Sequence, residues 1–165
     1  MRYTPPMPSY VAKAAIADPR AKTFAFAKMR TMYGGKAIAA GDEIFVFASE
    51  HDGGAGLIAR GIVTAVTAHA KPRGVARWTP RVSIAVTRTA PAKRAFGREQ
   101  LKAWRGATDG SPQAELDFKF YRQATNKIGG ISEEAGRFLG GGGFSRRQFR
   151  GRPSRRSRSA TVKLS

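Results

Sequence analysis

Apolar positions are densest over Glu43-Ile44-Phe45-Val46-Phe47-Ala48-Ser49, a continuous run with β-branched and aromatic members. A run of this length without alternation predicts a strand buried on both faces. The Gly-rich segment 52–56 is a turn. Residues 57–68 follow, where Ile58, Ile62, Val63 and Val66 predict a second long strand bent at Gly61. The two strands read as a hairpin. From Trp78 to Thr89, Val82, Ile84 and Val86 alternate with Arg81, Ser83 and Thr87, the pattern of a third strand with one wet face. These three strands belong to one curved, mostly antiparallel sheet. Ser9 to Ile16 is short and β-compatible. Residues 22–30 carry Phe24, Phe26 and Met29 at spacings that fit neither period, so helix and irregular loop both stay open. Arg98 to Trp104 predicts a short helix, and residues 117–124 are compatible with strand or helix. Ser132 is a good N-cap, with Glu133 and Glu134 in the first turn of a helix that the glycines from Gly140 to Gly143 stop.

These elements divide the chain into an extended, proline-bearing lead-in over 1–8, a folded domain over 9–140, and a Gly-rich linker and Arg-rich tail over 141–165. Residues 144–165 hold eight Lys or Arg and no acidic residue. Such a segment buries too little apolar surface to offset its ordering entropy, so disorder is expected. Over the whole chain 30 basic residues face 11 acidic ones, a formal charge of +19. Taking the tail's eight away leaves 22 basic against 11 acidic, a balance of +11, so the basic character extends to the folded part. Charge of this size attracts polyanions at long range, and RNA or DNA is the expected partner, rather than a membrane. The 20 Arg against 10 Lys also match the codon usage of a GC-rich bacterial genome, which weakens any reading of that ratio. There is no cysteine, which excludes disulfides, thiolate metal sites and cysteine nucleophiles. No apolar run approaches a membrane span, and the N-terminal residues lack a signal-peptide core, so a cytoplasmic protein is expected.

The stretch Gly41-Asp42-Glu43-Ile44-Phe45-Val46-Phe47-Ala48-Ser49, with Gly56-Leu57-Ile58-Ala59-Arg60-Gly61-Ile62-Val63 after it, resembles the core signature of the PUA-like superfamily. Within it the EVE domain is the nearer match and the ASCH domain the second. The segments Phe120-Tyr121-Arg122-Gln123, Asn126-Lys127-Ile128 and Phe138-Leu139 also look like the C-terminal part of such domains. Phe47 stands where the family usually has a hydroxylated aromatic, and the Trp-rich N-terminal motif of many EVE proteins is missing. The resemblance implies an α+β fold: a small mixed, mostly antiparallel β-barrel with peripheral short helices. It also implies binding of RNA, or of a single modified base in a cleft, with Ser49 at a strand end facing that cleft.

Trp78, between Arg77 and Arg81, offers a stacking face for a base with cations nearby for phosphate. Tyr121 and Arg122, followed by Asn126 and Lys127, join aromatic, amide and basic character. An Asn reads a base edge through its paired donor and acceptor, and a Lys meets phosphate. The bland alternatives are a Trp closing the barrel end, and core phenylalanines with polar residues capping a turn. In the tail, Arg146, Arg147, Arg150, Arg152, Arg155, Arg156 and Arg158 suit phosphate contact without fixed geometry. Ser49 and His51 are too close along one chain to work as nucleophile and base, and His69 lacks the partners of a metal site. The glycine runs lack the Gly-Lys-Ser/Thr ending of a phosphate loop. No cofactor or metal is called for. A non-catalytic nucleic-acid binder is the first reading. An ASCH-like amidohydrolase for modified nucleosides, using Lys28, Thr31 and Glu50, and an accessory protein that meets ribosome or nucleoid by charge alone are the alternatives. Deleting residues 144–165 should weaken binding to every nucleic-acid sequence alike. The log–log salt slope should fall by about 0.7 to 0.9 for each phosphate that the tail had neutralised, as titrations between about 50 and 200 mM salt would show.

Overall fold

The computed structural model describes residues 9–92, 96–122 and 126–142. Six strands are present: β1 (Ser9–Ala14), β2 (Thr23–Met32), β3 (Glu43–Ala48), β4 (Gly56–His69), β5 (Arg81–Pro91) and β6 (Lys127–Ile131). They close into a barrel in the order β1-β3-β4-β5-β2-β6. Four of the pairings are antiparallel, while β1 runs parallel to β3 and β2 parallel to β6. Three helices lie outside: α1 (Arg98–Leu101), α2 (Pro112–Phe120) and α3 (Glu133–Gly142).

Strand alternation sends successive side chains to opposite faces, and here both faces of the barrel wall near β1 and β3 are dry. Tyr10, Ala12, Ala14, Ile44 and Val46 point inward and meet Phe24, Phe26, Ile84 and Val86 in the barrel core. Val11, Phe45 and Phe47 point outward into a second core with Leu101, Leu116, Phe120 and Leu139 from the helices. This double burial is why residues 43–49 show no polar alternation. Where no helix covers the wall, as on β5, the outer positions are polar or small.

The segment 22–30 is neither the helix nor the irregular loop expected but, from Thr23 on, part of strand β2. Phe24 and Phe26 keep strict alternation, then a bulge shifts the register between Phe26 and Met29, and Met29 points inward again opposite Val82. The extra residue breaks the period, which is what made the segment illegible. Of the segment 117–124, residues 117–120 form the end of α2, and residues 123 and 124 lie outside the described residues. That helix starts earlier, at Pro112, behind the Ser111 hydroxyl, which accepts the Ala114 N–H at 3.1 Å. Strand β6 has no hydrophobic pattern, because it holds Gly129 and Gly130; pairing with β1 and β2 makes it a strand. Two further expectations need correction. Strand β5 begins at Arg81, leaving Trp78 in the loop before it. The helix capped by Ser132, whose hydroxyl accepts the Ala135 N–H at 3.0 Å, continues through Gly140 to Gly142. Burial of Ala135 and Leu139 anchors it against the roughly 1 kcal/mol that each glycine costs.

The bend expected at Gly61 coincides with a register shift between Arg60 and Gly61. A Cβ there would meet the Thr87 carbonyl oxygen at 2.6 Å and Val86 Cγ1 at 2.7 Å. Gly61→Ala should therefore destabilise the barrel by about 1–3 kcal/mol, read as a lower midpoint in urea with an unchanged m-value.

Candidate functional site

Paired residues on neighbouring strands share a face, so the registers themselves reveal a lateral line across the barrel wall. Lys13 on β1 lies opposite Lys127 on β6, Lys127 opposite Arg30 on β2, and Arg30 opposite Arg81 on β5. All four point outward, because Ala12, Ile128, Met29 and Val82 beside them fill the barrel core. Like charges set directly opposite repel, so sheet pairing alone does not favour this arrangement. The ion pairs among the described residues, Arg60–Glu43, Lys119–Glu115 and Arg137–Glu133, involve none of the four.

The inner half of the row is buried beneath the end of α2. Lys13, 3% exposed, donates from Nζ to the Phe120 carbonyl at 2.7 Å and sits 3.8 Å from the centroid of the Tyr121 ring. That carbonyl belongs to the negative end of the helix, a favourable place for a cation. The Tyr121 hydroxyl donates in turn to Glu50 Oε1 at 3.0 Å, and Glu50 Oε2 accepts the Arg98 N–H at 2.7 Å. Gly97 leaves room for this carboxylate, since a Cβ there would collide with Glu50 Oε2. Burial, then the charge and hydrogen bond of Glu50, push the Tyr121 phenol well above its ordinary range. Lys127 is 1% exposed and has no hydrogen-bond acceptor among the described residues; its ammonium lies 5.6 Å from the Phe120 ring centroid and 5.8 Å from that of Tyr33. Burial and then the charge of Lys13 lower the Lys127 pKa. Burial also lowers that of Lys13, against the opposing pull of Glu50.

The outer half is open. Arg30 and Arg81 line a hollow of about 270 Å³ with Ala27, Lys28, Met29 and Asn126. Among the described residues three cations and a carboxamide line it, with no carboxylate. Lys28 is the bulged residue, held at φ 50° by its N–H to Ser83 Oγ (2.9 Å) and by Arg81 Nη1 donating to its carbonyl (3.1 Å). The Arg81 guanidinium lies 5.5 Å from the Trp78 ring centroid, which puts the tryptophan at this end of the row.

The residues singled out in the sequence thus fall into separate places. Trp78 and Asn126 flank the open basic half. Lys127 and Tyr121 belong to the buried half, with Lys127 two strand spacings, about 10 Å, from Arg81. Arg122 is exposed, with its guanidinium 5.8 Å from the Phe118 ring centroid. Ser49 is buried at the end of β3, its backbone accepting the N–H groups of Asp52 and Gly54. No hydrogen bond or ion pair joins Lys28, Thr31 and Glu50 among the described residues: the Thr31 hydroxyl donates to the Pro80 carbonyl at 2.7 Å, and Glu50 accepts from Tyr121. The seven tail arginines lie outside the described residues. Sequence reasoning missed Lys13 and Arg30 altogether, and it set Lys28 in a different site. Lys13 carried a signal, as a lone cation inside the apolar run Tyr10 to Ala14. Arg30 needed the register.

No family model matches the sequence, and no curated protein matches it. Among solved structures, the chain is similar to human THYN1 protein in complex with 5-methylcytosine containing DNA, at 16% identity and a TM-score of 0.55. That match covers 80% of this chain and 95% of the other. The DUF55 domain of human thymocyte nuclear protein 1 is similar at 15% identity and a TM-score of 0.54, over 79% of this chain and 95% of that one. The fold is PUA-like. The PUA-like barrel expected from the segments around Gly41 and Gly61 is the one observed, with its short helices packed outside.

Within this PUA-like barrel the lowered lysine values have a consequence for stability. The unfolded chain holds the Lys127 proton up to the ordinary value of 10.5, whereas the folded protein releases it earlier. Between those two values the unfolded state binds more protons, so folding stability gains as pH rises. Lys127→Met should be at least as stable as the parent at pH 7 and should lose this alkaline gain. Denaturant unfolding of both proteins from pH 7 to 10 measures the difference.

Proposed function

We propose that this protein binds nucleic acid without transforming it, holding a base at the open end of the cationic row. The observation that carries the reading is the row itself: cations in register on four adjacent strands, ending in a hollow with an amide and a tryptophan beside it. Arg30, Arg81 and Lys28 are placed for phosphates, Trp78 for stacking, and Asn126 for a base edge. Lys13, Lys127 and Tyr121 are positioning residues that fix the end of α2 against the barrel, and Ser49 holds the turn after β3. The tail arginines add attraction that is indifferent to sequence. The shared fold with a domain seen on 5-methylcytosine containing DNA supports a modified base as the preferred one. The engagement of the Thr31 hydroxyl by the Pro80 carbonyl and of Glu50 by Tyr121 favours this over an amidohydrolase.

Calorimetry with short oligonucleotides, modified and unmodified, at low and high salt tests the proposal. Arg30→Ala and Arg81→Ala should each weaken binding to all sequences and lower the salt slope by about 1. Trp78→Ala should reduce the preference for one base or modification about 5- to 150-fold at constant slope. A protein that binds no nucleic acid at about 50 mM salt, where phosphate attraction is strong, would overturn the reading.

A further inference from the structure

Two large aromatic side chains stand in solvent beyond the buried half of the row. Phe118 is 56% exposed and Tyr33 39%, with ring centroids 6.4 Å apart. On α2, Leu116 and Phe120 turn inward at i, i+4, which leaves Phe118 on the opposite face. A single exposed Phe is ordinary. Its pairing with Tyr33 is not, because the position of Tyr33 is costly. Tyr33 has φ 52°, in the left-handed region that bulky residues rarely adopt, directly before Gly34 at φ 80°.

The strand beneath Tyr33 is bare. A Cβ on Gly130 would meet the Tyr33 carbonyl oxygen at 2.6 Å, and one on Gly129 would come to 3.4 Å from Tyr33 Cδ2 and 3.0 Å from Phe120 Cζ. The strained turn and the glycine floor together fix the ring at the surface. Cations surround the pair. Lys119 Nζ is 5.2 Å from the Tyr33 centroid, and the Arg122 guanidinium is 5.8 Å from that of Phe118. Beside Tyr33 lies a hollow of about 350 Å³, lined by Tyr10, Lys119 and Ser132 among others. Lys119 donates to Glu115 Oε2 and to the Gly130 carbonyl, both at 2.9 Å, which leaves one of its three protons for a ligand.

We infer that Tyr33 and Phe118 form a stacking platform for an unpaired base, so that the ligand class is single-stranded rather than duplex nucleic acid. The inference rests on the function proposed above. An exposed aromatic face takes the flat face of a base, which a duplex keeps covered in its stack. The flanking cations suit the phosphates on either side of that base. An apolar protein surface covering the rings would instead have to strip water from the exposed Arg122 guanidinium without pairing it.

The test is fluorescence anisotropy of the full-length protein with single-stranded and duplex oligonucleotides of one sequence. Phe118→Ala alters an exposed side chain, and Tyr33→Gly removes the ring while relieving the backbone strain, so both variants should fold. Each should weaken single-strand binding about 5- to 150-fold and leave duplex binding and the salt slope unchanged. Equal affinity of the parent for both forms, or single-strand binding that ignores both variants, would overturn the inference and leave the proposed function standing. So would a change in sedimentation on Phe118→Ala with single-strand binding intact, which would mark a self-association surface. If no nucleic acid binds at low salt, both fall.

Discussion

Both faces of β1 are packed, and the strand pairs on both edges, parallel to β3 and antiparallel to β6. Tyr10, Ala12 and Ala14 close the barrel core, while Val11 starts the core beneath the helices. Six residues therefore join two hydrophobic cores through one wall. Every other element takes its place from this. Helices α2 and α3 have an apolar surface to cover because Val11, Phe45 and Phe47 face out. The end of α2 comes down at Lys13 because Leu116 and Phe120 enter that outer core.

The cationic row is the electrostatic counterpart of this packing. A buried lysine without a carboxylate partner is expensive, and two in register are more so. The structure offsets part of the cost locally. The carbonyl end of α2, the Tyr121 ring and, through the Tyr121 hydroxyl, Glu50 all face Lys13. Lys127 has aromatic faces near its ammonium and no hydrogen-bond acceptor among the described residues. Farther along the same line Arg30 and Arg81 reach solvent, where water screens them and a polyanion can replace the water. One line of charge thus runs from a held interior to an open surface, without a carboxylate ion-paired to it among the described residues.

The special backbone positions are distributed the same way. Lys28 and Tyr33, the two non-glycine residues at positive φ among the described residues, bracket Arg30 on β2. Each sits where a strand yields its regular pairing, Lys28 at the bulge and Tyr33 in the turn after Met32. Strain of order 1–3 kcal/mol at such positions persists only when the surroundings impose it. Here Ser83 and Arg81 hold one, and the glycine floor of β6 accommodates the other.

How much of this was legible depends on where the information resides. The apolar run through Phe45 and Phe47, the bend at Gly61 and the wet alternation around Ile84 are local patterns, and they suffice for three strands and the PUA-like fold. The cap at Ser132 was equally plain. Strand β2 was hidden because one bulged residue breaks the period, and β6 because its glycines carry no hydropathy; pairing alone makes them strands. The candidate site lay still further from view. Trp78, Tyr121, Asn126 and Lys127 were visible as residue types with suitable chemistry. The composition already guaranteed a basic surface. Which cations stand together was decided by strand register, a relation between residues up to 114 positions apart, as Lys13 and Lys127 are. Whether each is exposed was decided by where the helices land, so that Lys127 is buried while Arg30, its neighbour in the same row, meets water.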